Sequence, residues 1–99
     1  MATLKAPAGL GRRGTTFWKE VTGAYTVERP DELALLTEAC RILSLCDDLR
    51  QAVERDGYTT AGSTGQLVAH PLLTELRANR AELRHVLRQL GLPNPDGDE

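Results

Sequence analysis

Four arginines, Arg77, Arg80, Arg84 and Arg88, recur at spacings of three, four and four, so on a helix they line one side. An acid one turn away would neutralise such a stripe. Here the residue one turn after Arg80 is Arg84 and the next is Arg88, while Glu75 and Glu82 lie elsewhere on the wheel. An uncompensated cationic stripe suits two partners. It can contact phosphates, where counterion release gives affinity without sequence preference, or it can pair with an acidic helix of a neighbouring subunit. The residues alone leave both open. A weaker basic group, Lys5, Arg12 and Arg13, sits among Gly and Pro near the N-terminus, with Lys19 following.

Residues for catalysis or cofactor binding do not assemble in the same way. The loop AGSTGQ (61–66) resembles a phosphate-binding loop in composition only. Gly57 and Gly62 have the right separation, but Ser63 stands where the nucleotide motif requires Lys, and a helical pattern precedes it instead of a strand. His70 directly precedes a helix-starting Pro, where an imidazole serves local backbone groups. His85 lies beside Arg84 and Arg88, which disfavour its protonation. Asp47 and Asp48 are adjacent and diverge on a helix, so they cannot act as a pair on one substrate. No nucleophile, base and orienting group come together, and neither catalysis, a cofactor nor a metal is expected. Cys40 and Cys46, six apart, point about 240° from each other on a helix and cannot bridge within it. Two thiols do not make a zinc set, and they read as small core hydrophobes in a reducing compartment.

The elements that must position the cationic residues are helical. Leu35, Ala39, Ile42, Cys46, Leu49 and Val53 alternate at spacings of four and three, forming a heptad seam. Leu72, Leu76, Asn79, Leu83, Val86 and Leu90 form a second seam. The two predict an antiparallel helical hairpin, with a long helix over about 30–56 and a partner over about 71–90. Pro30 opens the long helix, Asp31 and Glu32 suit the positive end of its dipole, and Gly57 stops it. Pro71 opens the partner, and Gly91 with Pro93 closes it. Asn79, polar within its seam, reads either as a register-setting residue or as a partly exposed side chain in a splayed hairpin.

A short helix over about 15–25 precedes the hairpin, with Thr15 as its cap and Phe17, Val21 and Tyr25 as its buried edge beside Trp18. Residues 57–70 form a loop or small β-hairpin. The long helix carries a further apolar stripe, Leu33, Leu36, Cys40 and Leu43, which needs its own cover. Helix one or a neighbouring subunit can supply it, and the stripe is the candidate oligomer interface.

With 99 residues, one Phe, one Trp and two Tyr, the chain is near the lower size limit for a self-sufficient core, which favours oligomerisation. Three parts are expected: a flexible basic arm at 1–13, one helical oligomerisation domain at 14–92, and an acidic disordered tail at 93–99. Charge is segregated by sign: residues 1–27 carry +3, 28–56 carry −4, 57–91 carry +2 and the last eight carry −3. No apolar run approaches transmembrane length and no signal-peptide core is present, so a soluble intracellular protein is expected.

Several separated pieces, in order, resemble the phage terminase small subunit. Pro7-Ala8-Gly9-Leu10 precedes the helix bearing Phe17-Trp18 and ending near Tyr25. An acidic opening and Leu35-Leu36 lead to Ala39-Cys40; then come Gly57, a loop with Gly65, His70-Pro71, a Leu/Arg-rich helix and Leu90-Gly91-Leu92-Pro93. The resemblance spans about residues 7–93. It implies an all-α subunit that assembles into a homo-oligomeric ring, recognises viral double-stranded DNA and hands it to the large ATPase/nuclease subunit. The setting it implies is the host cytoplasm during infection. Many small terminases carry a separate helix-turn-helix, for which this chain has no room. DNA contact would then use the basic arm, helix one or an assembled basic surface, making Lys5, Arg12, Arg13, Lys19, Arg77, Arg80, Arg84 and Arg88 the candidates. The rival reading is a helical adaptor or scaffold that binds protein only.

Overall fold

The computed structural model describes residues 4–62 and 64–97; residues 1–3 of the expected arm, Ser63 of the loop and the last two acids of the tail lie outside them. The elements in order are α1 (Gly11–Ala24), α2 (Pro30–Asp56), β1 (Thr59–Ala61), β2 (Leu67–Ala69) and α3 (Leu72–Leu90). The fold is the expected all-α hairpin with a short first helix. At about 1.5 Å per residue α2 alone is roughly 40 Å long. It stretches the molecule to 57 × 22 × 20 Å, with a radius of gyration of 16.0 Å, against about 13 Å for a compact chain of this length.

Helix α2 is the common partner, since both α1 and α3 pack on it. Its heptad seam faces α3. Ala39, Ile42, Cys46 and Val53 are buried, as are Leu76, Leu83 and Val86 across from them, with Leu87 added beside the seam. Asn79 is half-buried, and its amide donates to the Glu75 carbonyl one turn back (2.8 Å). The stripe Leu33, Leu36, Cys40 and Leu43 is not an interface left for another subunit. Leu36 and Cys40 are 0 % exposed and Leu43 1 %, because α1 covers them with Phe17, Trp18 and Val21 in one continuous core. Only Leu33 is partly open.

The α1–α2 crossing is close enough to exclude a side chain. A Cβ on Gly14 would lie 2.4 Å from the Cys40 carbonyl oxygen and 2.9 Å from Ser44 Oγ. The Gly14 N–H donates to Ser44 Oγ (2.8 Å), whose hydroxyl in turn donates to the Leu10 carbonyl. Ser44 thus links the two backbone groups that the first turn of a helix pairs. This explains why α1 begins at Gly11 and not near Thr15. Leu10, 1 % exposed, anchors the earlier start, and the Thr15 hydroxyl bonds back to the Gly11 carbonyl instead of capping. At the other end Tyr25 is extended backbone beyond the helix and 47 % exposed, not part of the buried edge.

The remaining stops follow local chemistry. Gly57 ends α2 at φ 86°, ψ 161°, a region open essentially to glycine alone and distinct from the left-handed stop expected there. The two strands pair antiparallel with Thr59 opposite Ala69. His70, 8 % exposed, joins the hairpin to both long helices. Its Nε2 faces Asp56 Oδ2 at the end of α2 (3.1 Å), and its Nδ1 accepts the Leu72 N–H at the start of α3 (3.1 Å).

The described tail does not hang free. Gly91 is left-handed, and the Leu92 N–H returns to the Leu87 carbonyl (2.9 Å), a helix stop that turns Leu92 onto the core. Asn94-Pro95-Asp96-Gly97 then makes a tight turn, with Gly97 N–H to Asn94 carbonyl (3.1 Å) and Asp96 N–H to Asn94 Oδ1 (2.9 Å).

Two outcomes follow from this packing. Gly14→Ala forces α1 off α2 and should cost about 1–3 kcal/mol in urea unfolding; a gain, as Ala gives at an open helical site, would contradict the close crossing. The Asp56 carboxyl is held below its usual range, first by the His70 hydrogen bond and then by Arg55. Its contribution is present above the unfolded carboxyl pKa and lost as pH falls through the lower folded value. Asp56→Asn should therefore melt below the parent at pH 6, and the gap should close below about pH 4; a gap independent of pH would contradict the linkage.

Candidate nucleic-acid interface

The junction of the three helices gathers positive charge that no single segment holds. Helix α1 contributes Arg12 and Arg13 from its first turn, α2 contributes Arg50 and α3 contributes Arg80 and Arg84. The tail turn carries Asp96 into the middle. Arg13 Nη2 donates to Asp96 Oδ1 at 2.7 Å, and Arg50 Nη2 lies 3.5 Å from Asp96 Oδ2. Arg50 Nη1 is 3.8 Å from Asp47 Oδ1, one turn earlier on α2. Two adjoining cavities share Arg50 and Asp96. One, of about 220 Å³, is lined by Cys46, Arg80, Leu83, Arg84 and Asn94, and the other by Arg12, Arg13, Thr16 and Asp47. Five arginines thus meet two carboxylates, an excess of +3.

Of the residues expected from sequence, Arg12, Arg13, Arg80 and Arg84 come together here. Arg88 is exposed on the continuation of the same α3 face, beside Arg84, Leu92 and Asn94. Lys19 is exposed on the α1 edge that carries Arg12 and Thr16, at spacings of four and three. Arg77 is exposed nearer the start of α3, and Lys5 is exposed in the leading segment. Among the described residues no acid lies within ion-pair distance of Arg77, Arg80, Arg84 or Arg88.

Arg50 is the member that sequence reasoning missed. Its position one turn after Cys46, at the border of the buried seam, was the available signal. Its Nε is buried and has no acceptor among the described residues, a state that costs free energy until an acceptor is supplied.

The other polar groups are engaged in structure. Both His70 ring nitrogens have partners, which leaves neither free as a base. His85 is exposed, with its Nε2 3.3 Å from Gln89 Nε2. Burial pushes the Cys40 thiol up to about 12. It also raises Cys46, with Arg80 and Arg50 opposing the rise. Neither is a thiolate at neutral pH, so neither is a nucleophile. Among the described residues no three His, Cys, Asp or Glu side chains cluster to hold a metal ion. Among the described residues no helix is long and apolar enough to cross a membrane.

The family model described as "Phage terminase, small subunit" matches residues 15–96, which covers α1 from its second turn, both long helices and the tail turn that bears Asp96. Comparisons with curated proteins and with solved structures gave no match. The chain belongs to the phage terminase small-subunit family, whose role lies in packaging phage DNA.

Proposed function

We propose that this chain recognises viral double-stranded DNA and recruits or regulates the large ATPase/nuclease subunit, without catalysis of its own, as a homo-oligomeric ring in the host cytoplasm. The observation that carries this reading is the excess of arginine over carboxylate at the three-helix junction, continued along α3 by Arg88 and along α1 by Lys19. Guanidinium groups carried on three packed helices meet a phosphate backbone with little loss of backbone freedom, because their helices are already fixed. Such contacts position a protein on the duplex without reading its bases, so sequence preference would arise from DNA shape or from assembly.

Assembly needs a surface other than the α2 stripe, which the chain fills itself. The β-hairpin offers one: Tyr58, Leu67 and Val68 are 65 %, 78 % and 37 % exposed at the far end of α2 from Pro30. A neighbouring subunit that covered these residues would remove apolar area from water, as an isolated two-stranded hairpin requires. Light scattering should give a mass several times the 10.8 kDa of one chain; a stable monomer at micromolar concentration would contradict the ring.

Binding to a double-stranded DNA fragment should weaken steeply with salt, with a log–log slope of about −0.9 for each phosphate neutralised. Replacing Arg80 and Arg84 together by Gln should flatten that slope by roughly 1–2 units at a preserved melting temperature. Absence of binding at low salt would favour the protein-only adaptor.

A further inference from the structure

We infer that the three-helix junction is a phosphate-binding pocket for DNA which the chain's own Asp96 occupies in the free protein. The inference rests on reading the basic face as a DNA surface and adds to it a defined pocket and an internal competitor. Among the described residues, Asp96 is the tail acid that meets the arginines, and it meets them from two helices at once, Arg13 on α1 and Arg50 on α2. A carboxylate bridging two guanidinium groups makes the contact that a phosphodiester oxygen pair would make, with the same charge and similar donor geometry.

The tail's path is built locally. Left-handed Gly91, the seated Leu92 and the Asn94-to-Gly97 turn hold Asp96 over the cavity floor formed by Cys46 and Leu83. Yet Asp96 satisfies the pocket incompletely. Arg80 and Arg84 line the same cavity without a carboxylate in ion-pair range among the described residues, and Arg50 Nε has no acceptor. Successive backbone phosphates of a duplex, each with two non-bridging oxygens, can engage Arg50 and the α3 arginines together, whereas the single Asp96 carboxylate meets Arg13 and Arg50.

Because the contact is about one-third exposed on both sides, it is of the weak class that exchanges readily with a competing anion. The apparent DNA affinity is then lowered by the fraction of molecules whose tail is docked. Undocking Asp96 also removes a negative charge from the path of the duplex. Tail and DNA therefore exclude one another at this position, and the docked tail lowers the junction's excess charge from +4 to +3.

The test compares full-length Asp96→Asn with Glu38→Gln, which removes the same charge from an exposed site on α2. Glu38 is twelve residues from Arg50, about 18 Å along the helix and beyond a Debye length at physiological salt. Asp96→Asn should bind a double-stranded DNA fragment about three- to fivefold more tightly than the parent, with Glu38→Gln near the parent. Adding Arg84→Gln to Asp96→Asn should abolish the gain. Equal gains from both single variants, or none from Asp96→Asn, would overturn the competitor role.

A second readout separates the pocket from the DNA reading: inorganic phosphate titrated into labelled protein while the Arg50 Nε–H signal is followed by NMR. A saturable shift, reached at lower phosphate in Asp96→Asn than in the parent, supports the pocket even where no variant binds DNA, and in that case only the DNA reading fails. An unmoved Arg50 signal in both proteins overturns the pocket even where DNA binds elsewhere.

Discussion

At Gly14 the backbone of α1 approaches the Cys40 carbonyl so closely that no Cβ fits between them. The rest of the structure depends on that crossing. It seats Phe17, Trp18 and Val21 over Leu36, Cys40 and Leu43, which gives α2 its second apolar partner within the chain. A fully buried leucine contributes about 1.5–3 kcal/mol, so covering this stripe within the chain is a large share of what stabilises the fold. The same crossing brings the first turn of α1, and with it Arg12 and Arg13, to the level of Arg50. Core packing and charge placement are consequences of one contact.

That arrangement explains how a chain with net charge −2 presents a cationic junction. Acids and bases alternate by segment in the sequence, but folding sorts them again. Helix α2 carries a net negative charge, yet Arg50 stands at the border of its buried seam, beside α3, where Arg80 and Arg84 project. The tail turn then places one carboxylate among the guanidinium groups. The arginines stand on packed helices, while Asp96 stands on a short, exposed turn.

Much of the fold was legible because it is periodic or punctuated. The seams from Leu35 to Val53 and from Leu72 to Leu90 marked the hairpin, and Pro30 and Gly91 marked two of its ends. What could not be read depended on tertiary contact. Nothing local favours a helix start at Gly11, which is held by buried Leu10 and by the Ser44 hydroxyl thirty residues away. The cover of the Leu33–Leu43 stripe was undecidable between α1 and another subunit, since both would supply apolar area. Four of the five arginines in the cluster were visible, Arg80 and Arg84 in a helical stripe and Arg12 and Arg13 in a basic arm. Arg50 and Asp96 were not, because one is a single charge beside a seam and the other lies in a tail whose composition suggested disorder. Asn94-Pro95-Asp96-Gly97 holds turn-forming residue types, but from sequence it reads only as part of a disordered tail, and its docking depends on contacts with α1 and α2.

The most direct measurement of the account is a structure of the assembled protein bound to double-stranded DNA. The account predicts a backbone phosphate within about 3 Å of the Arg50 guanidinium, flanked by Arg13, Arg80 or Arg84, with the tail turn displaced from between them. A duplex held elsewhere, with Asp96 still bridging Arg13 and Arg50, would contradict it.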